Sequence, residues 1–206
     1  VHDLTAHTSV VEFNDLAALE AALNAGDVAC VLAEPAMTNI GMVLPAPGYW
    51  EAAQALIHRH GAALVLDETH TISCGPGGYA RAHGLQPDAI VLGKPVGGGI
   101  PCAVYGFTAA WAERAVAAKR SAPPGHSGIG TTLSGNLLAM AAMRATLGGL
   151  MTEPVYTPML ALATTLAEGL RDCIARHGLP WCVTRLGTRT EFQFRATPPN
   201  NGSEAS

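Results

Sequence analysis

At 206 residues, 49% of them hydrophobic and 14% charged, the chain has ample material for a buried core, which excludes a disordered segment. Its formal charge of -4, from 12 Lys and Arg against 16 Asp and Glu, leaves no basic surplus to neutralise a phosphate backbone, so nucleic acid is not an expected partner. No long apolar stretch escapes a charge, Pro or Gly cluster, and the opening VHDLTAHTSV has no basic region followed by an apolar run, so neither a membrane span nor a signal peptide is expected.

From Phe13 to Ala25 the apolar residues Phe13, Leu16, Leu19, Ala22 and Leu23 recur at helical spacing, with Asn14 placed to cap the start and Gly26 to end the last turn. An unbroken apolar run from Val28 to Ala33 then halts at Glu34-Pro35 and reads as a strand buried on both faces. A helix is predicted over Tyr49 to His60, closed by Gly61, and a second strand over Ala62 to Leu66 runs into Asp67-Glu68. A third strand, Ala89 to Leu92, leads into Gly93-Lys94-Pro95-Val96-Gly97-Gly98-Gly99, and a fourth spans Cys102 to Phe107. Strands alternating with helices predict a largely parallel sheet covered on both faces. Ligands of such sheets gather outside the carboxyl ends of the strands, where Glu34, Asp67 and Lys94 fall.

Helical patterns resume from Thr108 to Lys119, from Ser134 to Leu150 and from Glu153 to His177. The last of these has few charges, so it is expected to lie along the body or a partner subunit. Two short strands, Trp181 to Arg185 and Glu191 to Arg195, look like the opening of a second domain, since they cannot make a core of their own.

The five cysteines, Cys30, Cys74, Cys102, Cys173 and Cys182, are odd in number and lack CxxC spacing, which points to a reducing, cytoplasmic setting. His58 and His60 stand two apart and no HxxxH or HExxH occurs, so no metal site is expected among the 8 histidines. Gly125-His126-Ser127-Gly128-Ile129 falls one glycine short of a nucleophile elbow, and the glycines after Lys94 follow the lysine instead of preceding it as in a nucleotide phosphate loop. Those glycines are expected to let backbone pass close to a cofactor and a partner chain.

Alone, Lys94 reads equally as a loop lysine beside tight turns. Asp67, 27 residues earlier, lies one crossover away, so both side chains can face one ligand from adjacent strand tips. Pyridoxal phosphate chemistry needs this pair: an amine to form a Schiff base and a carboxylate to keep the pyridine nitrogen protonated.

Four segments in order, LAEPAMTNIG (32 to 41), LVLDETHT (64 to 71), PDAIVLGKPVGGGIPCAVYG (87 to 106) and GTTLSGNLLAMAA (130 to 142), resemble the class III aminotransferases, fold type I pyridoxal-phosphate enzymes. The resemblance implies an α/β three-layer sandwich with a mostly parallel central sheet, the large domain of such transferases. It also implies pyridoxal 5'-phosphate as cofactor, small amino and keto compounds as substrates, and a homodimer. By it Lys94 is the Schiff-base lysine and proton shuttle, kept neutral by burial, and Asp67 faces the ring nitrogen. Thr69 packs on the ring face, where relatives often carry Val or Ile. His70 either approaches the phosphate or is a solvated loop histidine. Glu34 and Asn39 lie near the ring hydroxyl, unless Glu34 simply ends its strand. Thr132 reaches across the dimer to the partner's cofactor phosphate.

Leu137 follows Asn136 where the family usually has Pro, a change with little expected consequence because a helix starts equally well with Leu. The family's phosphate-cradling loop, its ring-stacking aromatic and its substrate-gripping Arg find no match. The chain therefore reads as an internal piece. Residues 1-178 would be part of the cofactor-binding large domain including the linking helix, and 179-206 the start of the small domain. A transaminase or aminomutase is the leading activity. A racemase, epimerase or decarboxylase of the same fold remains open, as does a truncated piece inactive on its own.

Overall fold

The computed structural model describes residues 4–125, 130 and 132–205. The Ser127 motif and Thr131 of the fourth segment lie outside them. Asp15 starts helix α1 (Leu16–Leu23): its carboxylate accepts the Ala18 N–H at 2.8 Å, and the helix buries Leu19 and Leu23. Asn14, the residue expected at the cap, instead takes φ 67°. Its amide nitrogen donates to the carbonyls of Leu44 (3.0 Å) and Asn200 (2.7 Å), and its side-chain oxygen accepts from Ala46 N–H (2.8 Å), so a residue committed to two other segments leaves capping to its neighbour.

Strand β1 (Cys30–Ala33) leads through a loop to α2 (Tyr49–Arg59), whose Tyr49, Trp50, Ala53, Leu56 and Ile57 recur at helical spacing and are all buried. They pack with Leu19, Leu23 and with Leu64 and Leu66 of β2 (Ala63–Asp67) in one core, each large side chain contributing about 1.5–3 kcal/mol by leaving water. The Trp50 indole N–H also donates to Pro35 O at 2.8 Å, which fixes the segment after β1. Beyond a 3-10 turn over Thr71–Cys74, helix α3 (Gly78–His83) adds Tyr79 and Ala80 to the same core. Six residues between glycines carry too little periodicity for this helix to be read from the sequence. Strand β3 (Ala89–Leu92), a 3-10 turn over Lys94–Gly97 and strand β4 (Val104–Phe107) complete a sheet in the order β1-β2-β3-β4.

The first three strands are parallel. β4 runs antiparallel to β3, because a loop of eleven residues between their facing ends leaves no room for the crossover that parallel pairing needs. Helices α1 to α3 all lie on the face bearing Val31, Ala33, Leu64 and Leu66. Through the register the opposite face carries Leu32, Val65, Val91, Tyr105 and Phe107, and Leu32 is 66% exposed. The expected burial of β1 on both faces is thus met in part on one, where Val31 and Ala33 are half-buried, while Leu32 on the other stays exposed among the described residues.

Helices α4 (Ala109–Arg120), α5 (Leu137–Gly149) and α6 (Glu153–Arg176) come next. Asn136 caps α5 through Ala139 N–H at 2.9 Å, so Leu at the next position indeed starts the helix without difficulty. Strands β5 (Cys182–Leu186) and β6 (Arg189–Gln193) form a separate antiparallel hairpin, and a last short helix, α7, covers Gly202–Ala205. The hairpin is docked at its tip: a Cβ on Gly187, which has φ 58°, would stand 2.1 Å from Cys74 O, and the Thr188 hydroxyl donates to Ser73 O.

Candidate active site

Parallel pairing brings three strand ends side by side. Ala33 is level with Leu66, and Asp67 with Val91, so Glu34, Asp67 and Lys94 succeed one another along the carboxyl edge of the sheet. This edge is the convergence expected from the sequence.

Asp67 is half-buried, and its Oδ1 accepts the Thr69 N–H at 2.9 Å. Among the described residues no donor bonds its Oδ2. Thr69 itself leans on the next strand: its methyl carbon and hydroxyl would each lie 3.4 Å from a Cβ placed on Gly93, immediately before Lys94. Thr69, two residues after Asp67, therefore stands close over the residue before Lys94.

Lys94 opens its turn at φ 46°, one of two non-glycine residues described with positive φ. A side chain that disfavours this region is held there by the rest of the turn, where Val96 and Gly97 are buried and Gly98 continues at φ 56°. Gly97 and Gly98 serve contacts inside the chain, since a Cβ on Gly97 would meet Cys102 Sγ at 2.5 Å and one on Gly98 would meet Thr146 Oγ1 of α5 at 2.7 Å, whereas a Cβ on Gly99 would meet nothing within 4 Å among the described residues. The amine makes no hydrogen bond or ion pair among the described residues, and Lys94 is exposed. The expected burial is not met: α5 meets the turn at Gly98, but among the described residues the Lys94 side chain is left exposed.

Behind this edge lies a residue that no motif in the sequence singles out. Glu68 is fully buried, and its carboxylate accepts three donors: Tyr79 N–H (2.7 Å), Ala80 N–H (2.7 Å) and the Thr71 hydroxyl (2.8 Å). It closes the N-terminus of α3, where backbone N–H groups lack helical partners. Burial, with the Glu68 charge in second place, holds the nearby Cys74 thiol up at about 12, and burial also raises Tyr79 to about 12.

Glu34 and His70 meet through Thr38. The Thr38 hydroxyl donates to Glu34 Oε2 and is also hydrogen-bonded to His70 Nδ1, while the carboxylate oxygen stands 3.5 Å from that nitrogen. His70 is thus no solvated loop histidine, for its side chain is 11% exposed. Glu34 does more than end a strand. Nothing local in the sequence marks Thr38, which joins residues 32 positions apart. Asn39, next along, is exposed, and so is Thr132, in the turn before α5; no described contact joins either to Asp67 or Lys94.

An amine and a carboxylate oxygen that have no partner among the described residues, on adjacent strand tips, form a set that fits a ligand bearing a carbonyl and a protonated ring nitrogen. The family model for aminotransferase class III matches residues 3–201. A glutamate-1-semialdehyde 2,1-aminomutase of Anaeromyxobacter sp. (strain Fw109-5) is 38% identical over 98% of this chain and 46% of its own length. A counterpart from Sorangium cellulosum (strain So ce56) is 39% identical over 97% and 45%. The crystal structure of a glutamate-1-semialdehyde-aminomutase from Pseudomonas aeruginosa PAO1 superposes with a TM-score of 0.90 at 54% identity, covering 96% of this chain and 45% of that one. A β-phenylalanine aminotransferase from Variovorax paradoxus gives 0.83 at 28%, with 96% and 45% covered. The chain spans about half the length of the curated relatives it matches.

Proposed function

Because the chain belongs to the class III aminotransferase family, we propose that it is the part of a pyridoxal-phosphate enzyme that carries Lys94 and Asp67, and that the whole protein moves an amino group as a transaminase or aminomutase. The observation that carries this reading is the juxtaposition of the Lys94 turn and Asp67 on paired parallel strands, with Thr69 standing close over Gly93. The relatives named as glutamate-1-semialdehyde aminomutases favour a small amino aldehyde or amino acid as substrate. When bound, pyridoxal phosphate supplies an electron sink for the pair released at the substrate's amino-bearing carbon.

The chain's own residues have separable tasks. Lys94 holds the cofactor covalently and, once released by substrate, takes and returns a proton at that carbon, which requires the amine in its neutral form. The free Oδ2 of Asp67 accepts from the ring N–H and keeps that proton in place, while its Oδ1 stays anchored to Thr69 N–H. Thr69 would pack on the ring face, Glu34 and Asn39 would lie near the ring hydroxyl, and His70 stands beside Glu34 through Thr38.

A homodimer supplies the cover that Lys94 lacks, with Thr132 reaching the partner's cofactor. Exposed apolar side chains on α5 (Leu137, Leu138) and α6 (Met159, Leu162, Leu166) support such an assembly. The large domain extends to residue 178 and the small domain begins at 179, in line with the separate β5–β6 sheet. Five free cysteines suit a cytoplasmic setting. Among the described residues no helix is long and apolar enough to cross a membrane.

Borohydride reduction of the intact protein with pyridoxal phosphate, followed by peptide mass spectrometry, tests the assignment. The reduced cofactor is expected on the peptide containing Lys94 and nowhere else. Its absence there, or a Lys94→Ala variant that still turns over amino donors, refutes it.

A further inference from the structure

The hydroxyl of Thr38 sits between a carboxylate and an imidazole, yet it has a single proton to give. It is 4% exposed, so water does not compete for it. A carboxylate can only accept, so against Glu34 Oε2 the Thr38 O–H must donate. The hydroxyl's remaining capacity toward His70 Nδ1 is then that of an acceptor, and the contact forms only if Nδ1 carries the proton. The Glu34 oxygen 3.5 Å from Nδ1 favours a proton on the same nitrogen.

From this we infer that Thr38 is a positioning residue that fixes neutral His70 as the Nδ1–H tautomer, leaving Nε2 as a hydrogen-bond acceptor. The backbone agrees with a fixed ring: His70 O accepts both the Ser73 N–H (3.2 Å) and the Ser73 hydroxyl (2.6 Å), which pins the residue at the start of its 3-10 turn. The trio spans the ends of β1 and β2, so Thr38 also ties together the two loops flanking Asp67.

The consequence concerns what His70 recognises. A neutral imidazole with Nε2 unprotonated accepts from a hydroxyl, an ammonium or an N–H, and it offers nothing to a phosphate oxygen. Thr38 thus biases His70 toward donor groups of a ligand and away from anions, contrary to the phosphate contact implied by sequence resemblance. The role at the active edge rests on the function proposed above; the tautomer does not.

The test uses the intact protein labelled with 15N in its histidine rings. His70 resonances are identified by their loss in His70→Gln, and the tautomer is read from the nitrogen shifts and ring-proton couplings at a pH where the ring is neutral. The expected result is a protonated Nδ1 in the wild type, retained in Thr38→Ser, which keeps the hydroxyl, and a shift toward protonated Nε2 in Thr38→Val, which keeps the shape. Protonated Nε2 in the wild type overturns the inference, as does a Thr38→Val spectrum identical to wild type. Because no activity is read, failure here leaves the trapping result on Lys94 untouched, and failure of trapping leaves the tautomer standing.

Discussion

Replacing Glu68 by Gln probes the joint that carries the active edge. The carboxylate is fully buried and holds three donors, two on Oε2 (Tyr79 N–H and the Thr71 hydroxyl) and one on Oε1 (Ala80 N–H). An amide has one oxygen. Placed at Oε2 it keeps two contacts, but its NH2 then faces the Ala80 N–H, so two donors confront each other and neither is satisfied. Water does not intervene, because the side chain is fully buried. Each buried unsatisfied group costs about 1–3 kcal/mol, and the remaining bonds lose the strength that charge lends them; the cheaper burial of a neutral amide offsets part of this. A net loss of about 3 kcal/mol results, a large share of the roughly 5–15 kcal/mol that separates folded from unfolded domains. Equilibrium urea unfolding of the intact protein measures it, with the buried Trp50 as a fluorescent reporter. Thr71→Val, which removes one donor and leaves the carboxylate, should cost only about 1 kcal/mol. A Glu68→Gln loss below about 1 kcal/mol refutes the argument, since it would mean that the three bonds do not depend on the charge.

Two further outcomes concern the same region. Burial and then the Glu68 charge raise the Cys74 thiol from 9.0 to about 12, so between those values the folded chain keeps a proton the unfolded chain has lost; stability is full below pH 9.0 and falls as pH rises through the window, and Cys74→Ala should flatten that decline in urea midpoints measured across it, an unchanged slope counting against the reasoning. Tyr79, raised from 10.0 to about 12, steepens the upper part of the same decline. Gly187→Ala places a Cβ 2.1 Å from Cys74 O at φ 58°, so the hairpin must shift; a loss of at least about 2 kcal/mol is expected, together with a change in emission from Trp181, which stacks on Phe192, whereas wild-type stability would show that the hairpin tip is not docked there.

The sequence by itself determined where ionisable groups collect. Apolar runs that stop at Glu34, at Asp67 and just before Lys94 read as strands whose carboxyl ends are polar, and the helical pattern between the first two points to parallel pairing, so those tips share an edge; the parallel register of β2 with β3 brings the third beside them. Local periodicity encodes this because each strand and helix declares its own buried face. What only the tertiary structure decided is which groups meet across that edge. Thr38 gains its meaning from His70, 32 residues away, and Glu68 from an α3 too short to announce itself. Asn14 cedes its cap to Asp15 because Leu44, Ala46 and Asn200 claim its side chain. Lys94 stays exposed because, among the described residues, α5 meets its turn at Gly98 and leaves the lysine side chain uncovered. Each of these depends on the approach of segments distant in the chain, and a hydrogen bond between such segments leaves no periodic trace in the residues that make it.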